Sequence, residues 1–524
     1  MKKCIGLVLS LFVFIAYPNG CGHRCSAQYT GKTVLANGQV PFTSVSPELV
    51  VSFRNGLTYD CNYGKKGSFQ AALFGSRSMK KNDLARYFLP HGATSLLVVE
   101  DGPADNFSQK KNLLAQNFNI FTKKHSFKSE ISLAPVQTMV GCGLHWRKCF
   151  LYNPLTGNGV WASVSSAIMR VKNTMNLREA ILNTGGGPDY KADTAVVGSM
   201  KEALNQYEWK YGKIPSHALD RSGLADIELK IGYSQSLPKQ LHHLDLYGGL
   251  IVPTGNKYSG KYVFEPIVGR GKHVGLMFGG GFGKDVWVDQ DEYVNWEVSL
   301  HGEYLFKNKQ HRSFDLVDKP WSRYLELYID QEQAQNVAQV VGSDPVRAQN
   351  SATPGINVLT RSVYVTPGFA GDMNTAFVYH KPVVQVECGY NLFVRQSECV
   401  KFVCPWSVGP AIKYAEGVGR TNPIRDITGN KYLEQKVVDD HGVEIIPVAL
   451  VNFDQSLIMS EDIDMQSATT PELIAHTLYI ACGKWFDDER VNPVLVNGGI
   501  LCTFSQENAV INKWLMWFKA GVSF

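Results

Sequence analysis

Residues 514–524 read WLMWFKAGVSF, and an apolar or aromatic side chain occupies every second position without a break. A β-strand has a side-chain period of two, so one face of this segment is apolar and the other carries its only charge, Lys519. The apolar face suits lipid and the mixed face suits a wet lumen, but a buried last strand of a soluble sheet fits equally well. The apolar face comprises Trp514, Met516, Phe518, Ala520, Val522 and Phe524.

A terminal aromatic residue preceded by apolar residues at alternate positions resembles the C-terminal signal of bacterial outer-membrane β-barrels. The resemblance is to a porin-like barrel, and it extends through strand alternation over residues 68–524 without pointing to a narrower family. It implies that these six residues act as an assembly signal for the barrel-assembly machinery. It also implies that outer-membrane lipid surrounds the protein.

The same alternation recurs along the chain, most clearly between residues 226 and 306. The segment Val384–Arg395 also alternates, and its length reaches the roughly 9–11 residues that a tilted strand needs to cross a bilayer. We therefore predict an all-β protein, a transmembrane antiparallel barrel of about 12–14 strands with 16 possible. Further strands are predicted at 68–75, 129–146 (bent at Pro135), 161–171, 321–329, 375–380, 472–485 and 494–504.

The first residues of the chain predict export. Residues 1–27 begin with two lysines, continue with a short apolar stretch and end with small residues before a predicted cleavage site, which is typical of a signal peptide. A lipoprotein signal ending at Cys21 fits less well, because the residues before it are not apolar and small. We assign residues 28–67 to a periplasmic or lumenal segment and 68–524 to the barrel.

One insertion, at 176–215, departs from the strand pattern. Ser199 and Glu202 have the spacing of a capping box, in which each side chain satisfies the other's backbone donor. Helices are predicted near 177–182 and 200–211. Such an insertion would fold inward and narrow the pore, or cap the barrel from outside.

Charge and composition limit the possible partners. Without residues 1–27, the 52 basic residues fall to 49 against 47 acidic ones, and this net charge of +2 argues against a nucleic-acid partner. No later stretch approaches the roughly 18 consecutive apolar residues of a membrane helix. A closed barrel is then the only way to span a bilayer with every backbone hydrogen bond satisfied.

The side chains opposite the apolar ones predict the chemistry of the lumen. They carry both signs with an acidic excess, and rings of carboxylates favour cations in a water-filled path. The alternative is that they pair with one another across a plugged lumen. The lumen-lining candidates are Asp226, Glu228, Lys230, Asp245, Glu297, His301, Glu303, Gln385, Glu387, Asn391, Arg395 and Lys519.

Aromatic residues near the predicted strand ends suggest two girdles at the membrane interfaces, where rings lie at headgroup depth. Core packing in a soluble sandwich would use the same residues. The girdle candidates are Trp287, Trp296, Tyr304, Trp321, Tyr324, Tyr390, Trp485 and Trp514.

Other motifs carry little chemistry. The glycine-rich run 279–283 lacks the residues of a phosphate-binding loop and is better explained as small residues at a crowded wall. Asp464 and the acidic residues before it lack the ligand series of a calcium loop. Export permits disulfides, and two close pairs could form them, namely Cys399 with Cys404 and Cys142 with Cys149.

These observations predict an outer-membrane channel for passive or weakly selective passage of small solutes. We expect no cofactor, no metal and no catalytic residues, since no nucleophile motif is present, although separation in sequence would hide one. The first alternative is a non-conducting receptor, adhesin or structural barrel. The second is a soluble periplasmic β-protein.

Overall fold

Twelve strands form a closed antiparallel barrel. Each strand pairs with its neighbours along the chain, and the last pairs with the first. The predicted fold class and the range of 12–14 strands are confirmed, and the upper estimate of 16 is wrong. The strands are β1 (Gly67–Ser78), β2 (Val136–Asn153), β3 (Asn158–Thr174), β4 (Ile227–Leu237), β5 (His242–Val252), β6 (Gly275–Asp289), β7 (Glu292–Leu305), β8 (Gly368–His380), β9 (Val384–Arg395), β10 (Leu473–Phe486), β11 (Val494–Phe504) and β12 (Lys513–Ser523).

This structure is a computed structural model. It describes residues 31–35, 41, 67–100, 112–153, 155, 158–190, 196–237, 242–329, 353–381, 384–406, 410–412, 437–438, 444–445, 458–486, 494–505 and 510–524. The predicted signal peptide, 1–27, lies outside these residues. No helix among them is long and apolar enough to cross a membrane.

The barrel closes at the seam between β1 and β12. Gly67 N donates to Phe524 O and Phe524 N donates to Gly67 O, both at 2.9 Å. From there the register runs without interruption from Ser68 opposite Ser523 to Ser78 opposite Lys513. Because every strand has two partners, the wall leaves no open edge of unpaired backbone groups.

The two ends of the barrel differ. Connections at the turn end, where both Gly67 and Phe524 lie, are two to seven residues long. Connections at the loop end run from eight to 77 residues, and they fold together into a cap. The cap is the set of described residues in these long connections.

The cap contains small sheets and short helices. One four-stranded sheet has the order Asn112–Leu114, Ser95–Val99, Phe127–Ser132 and Arg178–Thr184, and a three-stranded sheet has Asn308–Ser313, Thr360–Thr366 and Cys399–Phe402. Leu219–Leu224 extends the wall beside β3. The helices are α1 (Lys81–Phe88), α2 (Met200–Ala203), α3 (Gly355–Val358) and the 3-10 turns Ala115–Phe118, Ser322–Tyr324, Ser460–Asp462 and Met465–Ala468. Two-residue and three-residue strands complete it at Asp315–Leu316, Glu326–Tyr328, Thr353–Pro354, Ala411–Ile412, Val437–Val438, Glu444–Ile445 and Ile463–Asp464.

A hydrophobic core joins the cap to the barrel rim. Phe88 and Phe118 in the cap belong to the same buried cluster as Phe393 and Leu473 at the rim. A buried ion pair adds to it, because Arg323 Nε donates to Asp315 Oδ1 at 2.8 Å. The cap is therefore a packed body continuous with the wall.

Two predicted elements of the insertion are corrected. Residues 177–182 form no helix, because Arg178–Thr184 pairs as a strand with Phe127–Ser132 and tertiary pairing overrides the weak local helix preference. Only Met200–Ala203 of the second predicted helix is helical, with Glu202 N donating to Ser199 Oγ at 3.3 Å.

Two predicted barrel strands are also corrected. The segment 321–329 lies in the cap, where Trp321 takes a left-handed φ of 67° that ends an extended chain before a 3-10 turn. The segment 129–146 belongs to two different sheets that separate around Pro135, which has no N–H to continue the ladder. Of the predicted girdle, Trp321 and Tyr324 are buried in the cap and Trp485 points inward, with Nε1 donating to Gln385 Oε1 at 3.2 Å.

Candidate functional site: the barrel lumen

The inner face of the wall carries eleven of the twelve predicted lumen residues, and the twelfth, Asp226, lies directly before β4. Eleven of the twelve have at most 9 % of their surface exposed, and the side chain of Glu303 is 12 % exposed. They face inward because polar residues alternate with the exposed apolar ones along each strand. The structure brings them into three groups that the sequence does not show.

The first group is centred on Arg270, at the loop end. Its guanidinium donates to Glu228 Oε1 at 2.7 Å and to Glu303 Oε2 at 2.9 Å, and it lies 3.9 Å from Asp226 Oδ2. Lys230 Nζ lies 3.5 Å from Glu228. This group, the Arg270 cluster, ties the connection between β5 and β6 to the walls of β4 and β7.

The charged groups of the Arg270 cluster change one another's pKa values. Burial by itself lowers the pKa of Arg270, but the carboxylates of Glu303, Glu228 and Asp226 outweigh it and raise that pKa. Burial raises the pKa of Asp226, and Arg270 opposes this rise. Gly269 completes the turn with a φ of +77°, and a Cβ there would lie 2.8 Å from the Asp226 carboxylate.

The second group lies nearer the turn end. Arg147 Nη2 is 3.5 Å from Asp245 Oδ1, which also accepts from Ser234 and, at 3.2 Å, from Trp161 Nε1. The Arg147 guanidinium lies 3.9 Å from the centroid of the Trp161 ring. His243, on the same strand as Asp245, contacts Glu297 separately. These contacts pair lumen charges within the wall.

The third group is on the opposite wall. Tyr479 OH lies 2.9 Å from Asn374 Oδ1 and 3.0 Å from Glu387 Oε1, and its one proton is shared between these two acceptors. Asn391 Nδ2 donates to Asp372 Oδ1 at 3.4 Å. Sequence periodicity alone found Glu387 and Asn391, but it did not single out Tyr479.

Part of the lumen is apolar. Leu515 and Trp517 of β12 point inward and pack with Ala72, Tyr479 and Leu501 in one buried cluster. Trp517 Nε1 donates to Asn497 Oδ1 at 3.1 Å. The inner face of this strand is therefore packed and not wet at Leu515 and Trp517, as these two apolar residues on its otherwise mixed face indicate.

The glycine-rich run of β6 lies against crowded wall positions. A Cβ at Gly279 would lie 2.5 Å from the oxygen of Leu300 and from Tyr247 OH, and a Cβ at Gly283 would fall on the His243 ring. Gly248 of β5 has only Met277 O, at 3.9 Å, within reach of such a carbon. Close approach of neighbouring side chains explains the glycines at 279 and 283.

Gly283→Ala is expected to destabilise the barrel by about 1–3 kcal/mol, since His243 must move off Glu297 to make room. Gly248→Ala is the matched control and is expected to change stability by less than about 0.5 kcal/mol. Thermal unfolding in detergent, followed by loss of the compact gel form, measures both. Equal midpoints for the two variants would contradict the crowding argument.

The outer face of the same strands is apolar and exposed. Leu73 is 61 % exposed, Ile231 64 % and Phe518 57 %, and similar side chains continue around the wall. A monomer in water rarely exposes a contiguous apolar surface larger than a few hundred Å², whereas a closed wall with this belt satisfies its backbone in lipid. The chain is a closed β-barrel with a lipid-facing outer surface. Of the six predicted signal residues, Met516, Phe518 and Ala520 are exposed on the outer face of β12, and Trp514 and Val522 are partly exposed on the same face. The sixth, Phe524, closes the seam of the barrel.

Comparisons with known proteins found similar structures but no family model and no curated relative. Among solved structures, an outer membrane channel from Pseudomonas putida F1 is similar at 8 % identity and a TM-score of 0.35, covering 88 % of this chain and 96 % of that one. A FadL homologue from Pseudomonas aeruginosa has 8 % identity, 94 % and 99 % coverage and a TM-score of 0.31. The transport unit of the autotransporter AIDA-I from Escherichia coli has 7 % identity, 88 % and 91 % coverage and a TM-score of 0.31. At these scores the similarities carry no argument about function.

The loop-end mouth is occupied by the beginning of the described chain. Lys32 N donates to Tyr87 O at 3.0 Å, and Tyr258 OH donates to Leu35 O at 2.7 Å. Pro41 lines a cavity of about 20 Å³ at the inner rim together with Met139 and Thr477. Such a volume holds about one water molecule. Residues 31–35 and 41 of the segment predicted at 28–67 therefore lie at the mouth, inside the cap.

The remaining candidate sites are structural. Both predicted disulfides are wrong: Cys142 and Cys404 are free thiols, whereas Cys149 and Cys399 are disulfide-bonded elsewhere. Cys142 and Cys149 lie seven residues apart on one extended strand, about 23 Å, which no disulfide can bridge. Asp464 caps a 3-10 turn by accepting from Gln466 N at 2.9 Å. Among the residues that the structure describes, no group of three His, Cys, Asp or Glu side chains is arranged to hold a metal ion.

Proposed function

We propose that the barrel is a selective channel for small polar solutes, with a weak preference for cations and a path narrowed by the cap. The observation that carries the proposal is a set of buried polar atoms in the lumen that have no protein partner, namely Gln70 Oε1, Glu297 Oε1, Asn374 Nδ2 and Asn391 Oδ1. Such atoms are costly unless water or a polar solute satisfies them. They lie on β1 and on the three adjacent strands β7, β8 and β9, which supports a polar path along this part of the lumen.

The balance of charge supports the preference for cations. Among the described lumen residues that are largely buried, seven carboxylates face five cationic side chains: Asp226, Glu228, Asp245, Glu297, Glu303, Asp372 and Glu387 against Arg147, Lys230, Arg270, Arg395 and Lys519. A net negative wall favours cations in a narrow aqueous path. Because most of these charges are paired, we expect the preference to be modest.

Conductance of the purified barrel in a planar bilayer tests the proposal. We expect small, discrete currents and a reversal potential in a salt gradient that is shifted toward the cation. Glu297→Gln is expected to reduce that shift, whereas Asp289→Asn, an exposed carboxylate at the turn end, is expected to leave it unchanged. Arg270→Met removes the contacts that tie a cap connection to the wall, so it serves as the variant with a loosened cap. If neither folded wild-type protein nor folded Arg270→Met carries current, the channel proposal is rejected.

A second candidate is a non-conducting anchor or receptor. It is favoured by one observation, the near-complete burial of the inward side chains beneath a packed cap. The same conductance experiment separates the two functions, since an anchor carries no current even when its cap is loosened.

A further inference from the structure

Six lysines gather on one side of the cap, next to the ends of β5, β6 and β7. Five of them are exposed and Lys213 is half-buried. We name them the lysine patch: Lys213, Lys257, Lys261, Lys272, Lys307 and Lys309.

The fold brings these lysines together from three connections. Lys257 Nζ donates to Lys309 O at 3.2 Å, and Lys213 N donates to Lys261 O at 3.1 Å. Asn308 Nδ2 donates to Lys272 O at 2.5 Å, which places Lys272 beside the strand that carries Lys309. The patch is therefore one continuous surface, although its members are almost 100 residues apart in sequence.

The lysine patch carries an excess of positive charge. One carboxylate, Glu265, lies beside the six lysines and accepts from Ser259 N at 2.7 Å and from Tyr262 N at 3.0 Å, so it offsets only part of their charge. Burial, and then the charge of Lys261, lower the pKa of Lys213. Burial also lowers the pKa of His311, with Lys257 and Lys309 adding to the effect. These shifts accompany a local excess of positive charge.

The patch lies directly beyond the lipid-facing belt. Val274, Tyr304 and Phe306 are each between 41 % and 50 % exposed, and Phe306 N donates to Val274 O at 2.8 Å. The next residue is Lys307, whose Nζ lies 5.2 Å from the ring of Tyr364. In bacterial barrels the longer loops face outward, so this end of the wall reaches the outer leaflet at headgroup depth.

We propose that the lysine patch binds the phosphate groups of the phosphorylated glycolipid in the outer leaflet. Apolar side chains of the belt contact the acyl chains, and the ammonium groups just beyond them lie where the phosphates begin. Lysine is a compact, mobile point charge that binds phosphate without a fixed geometry. Basic clusters at the membrane surface attract anionic lipid with a contribution from each lysine. This interaction is independent of transport through the lumen.

Native mass spectrometry of the full chain in detergent tests this proposal, with a bis-phosphorylated lipid A as the probe. The double variant Lys257→Gln/Lys309→Gln is expected to bind it about thirty-fold more weakly than the wild type. The matched control, Lys148→Gln/Lys284→Gln, removes two exposed lysines at the turn end and is expected to bind like the wild type. Heat-modifiable gel mobility verifies that both variants are folded.

Two further probes identify the chemistry. A dephosphorylated lipid with the same acyl chains is expected to bind weakly, and so is phosphatidylglycerol, which carries one phosphate. Equal binding of the dephosphorylated lipid would show that the acyl chains alone are recognised and would overturn the proposal. Equal loss of binding in the patch and control variants, or equal binding of phosphatidylglycerol, would overturn it as well.

Discussion

Replacing Arg270 by methionine is expected to destabilise the folded barrel by about 3–5 kcal/mol, the usual cost of leaving buried charge without its partner. Arg270 contacts all three carboxylates, Asp226, Glu228 and Glu303, and its side chain is 6 % exposed. Methionine retains much of the side-chain volume but none of the five donors. Unfolding in urea, with the barrel reconstituted in lipid, measures the loss.

The pH dependence of the variant is a sharper test. With the Arg270 guanidinium gone, burial loses its largest opposing effect and raises the pKa of Asp226 further above its value in the unfolded chain, although the backbone N–H groups of residues 255 and 270 still donate to this carboxylate. A carboxyl group with a raised folded pKa binds its proton more tightly in the folded state, so the folded state gains stability as pH falls. The difference in unfolding free energy between the wild type and Arg270→Met is therefore expected to shrink as the pH falls from 7 to about 4. A deficit independent of pH would contradict this electrostatic cause.

Two other variants isolate the charge effect. Arg270→Met combined with Glu228→Gln is expected to recover part of the stability, because one fewer buried carboxylate remains. Arg221→Met removes an exposed arginine from the same end of the barrel and is expected to change stability by less than about 0.5 kcal/mol. If Arg221→Met were as damaging as Arg270→Met, burial of the charge would not be the reason.

The wall could be predicted from the sequence because its pattern is local. A strand such as β7 alternates Trp296, Val298 and Leu300 with Glu297 and Ser299, and this alone decides which side faces lipid. The inward placement of the lumen candidates follows from the same period. Their contacts do not, since periodicity contains no information about which strands become neighbours.

The cap and the Arg270 cluster could not be predicted in the same way. Arg270 lies in a connection with no periodicity, and its partners come from strands on either side of it in sequence. Trp321 belongs to an aromatic, strand-like segment, yet a left-handed turn places its ring in the cap core. Both features depend on packing between distant connections, which local sequence preferences do not determine.

Deleting Phe524 is expected to remove most of the barrel from the outer-membrane fraction. The residue has two roles at the seam: its backbone exchanges two hydrogen bonds with Gly67, and its ring, 47 % exposed, extends the lipid-facing aromatic surface of β12. The two hydrogen bonds together contribute about 1–3 kcal/mol to closure. The predicted assembly signal requires the ring as well. The deletion is therefore expected to impair assembly more than the loss of the two seam hydrogen bonds would by itself.

Single substitutions separate these two roles. Phe524→Ala keeps the backbone pairing and removes the ring, and it is expected to assemble almost as poorly as the deletion; Phe524→Trp keeps an aromatic ring and is expected to assemble normally. Phe504→Ala, which removes an exposed aromatic from the loop end of β11, is the matched control and is expected to assemble like the wild type. The measurement is the amount of heat-modifiable protein in the outer-membrane fraction at equal expression. If Phe524→Ala assembles normally and only the deletion fails, closure of the seam explains the defect and the ring is not a signal.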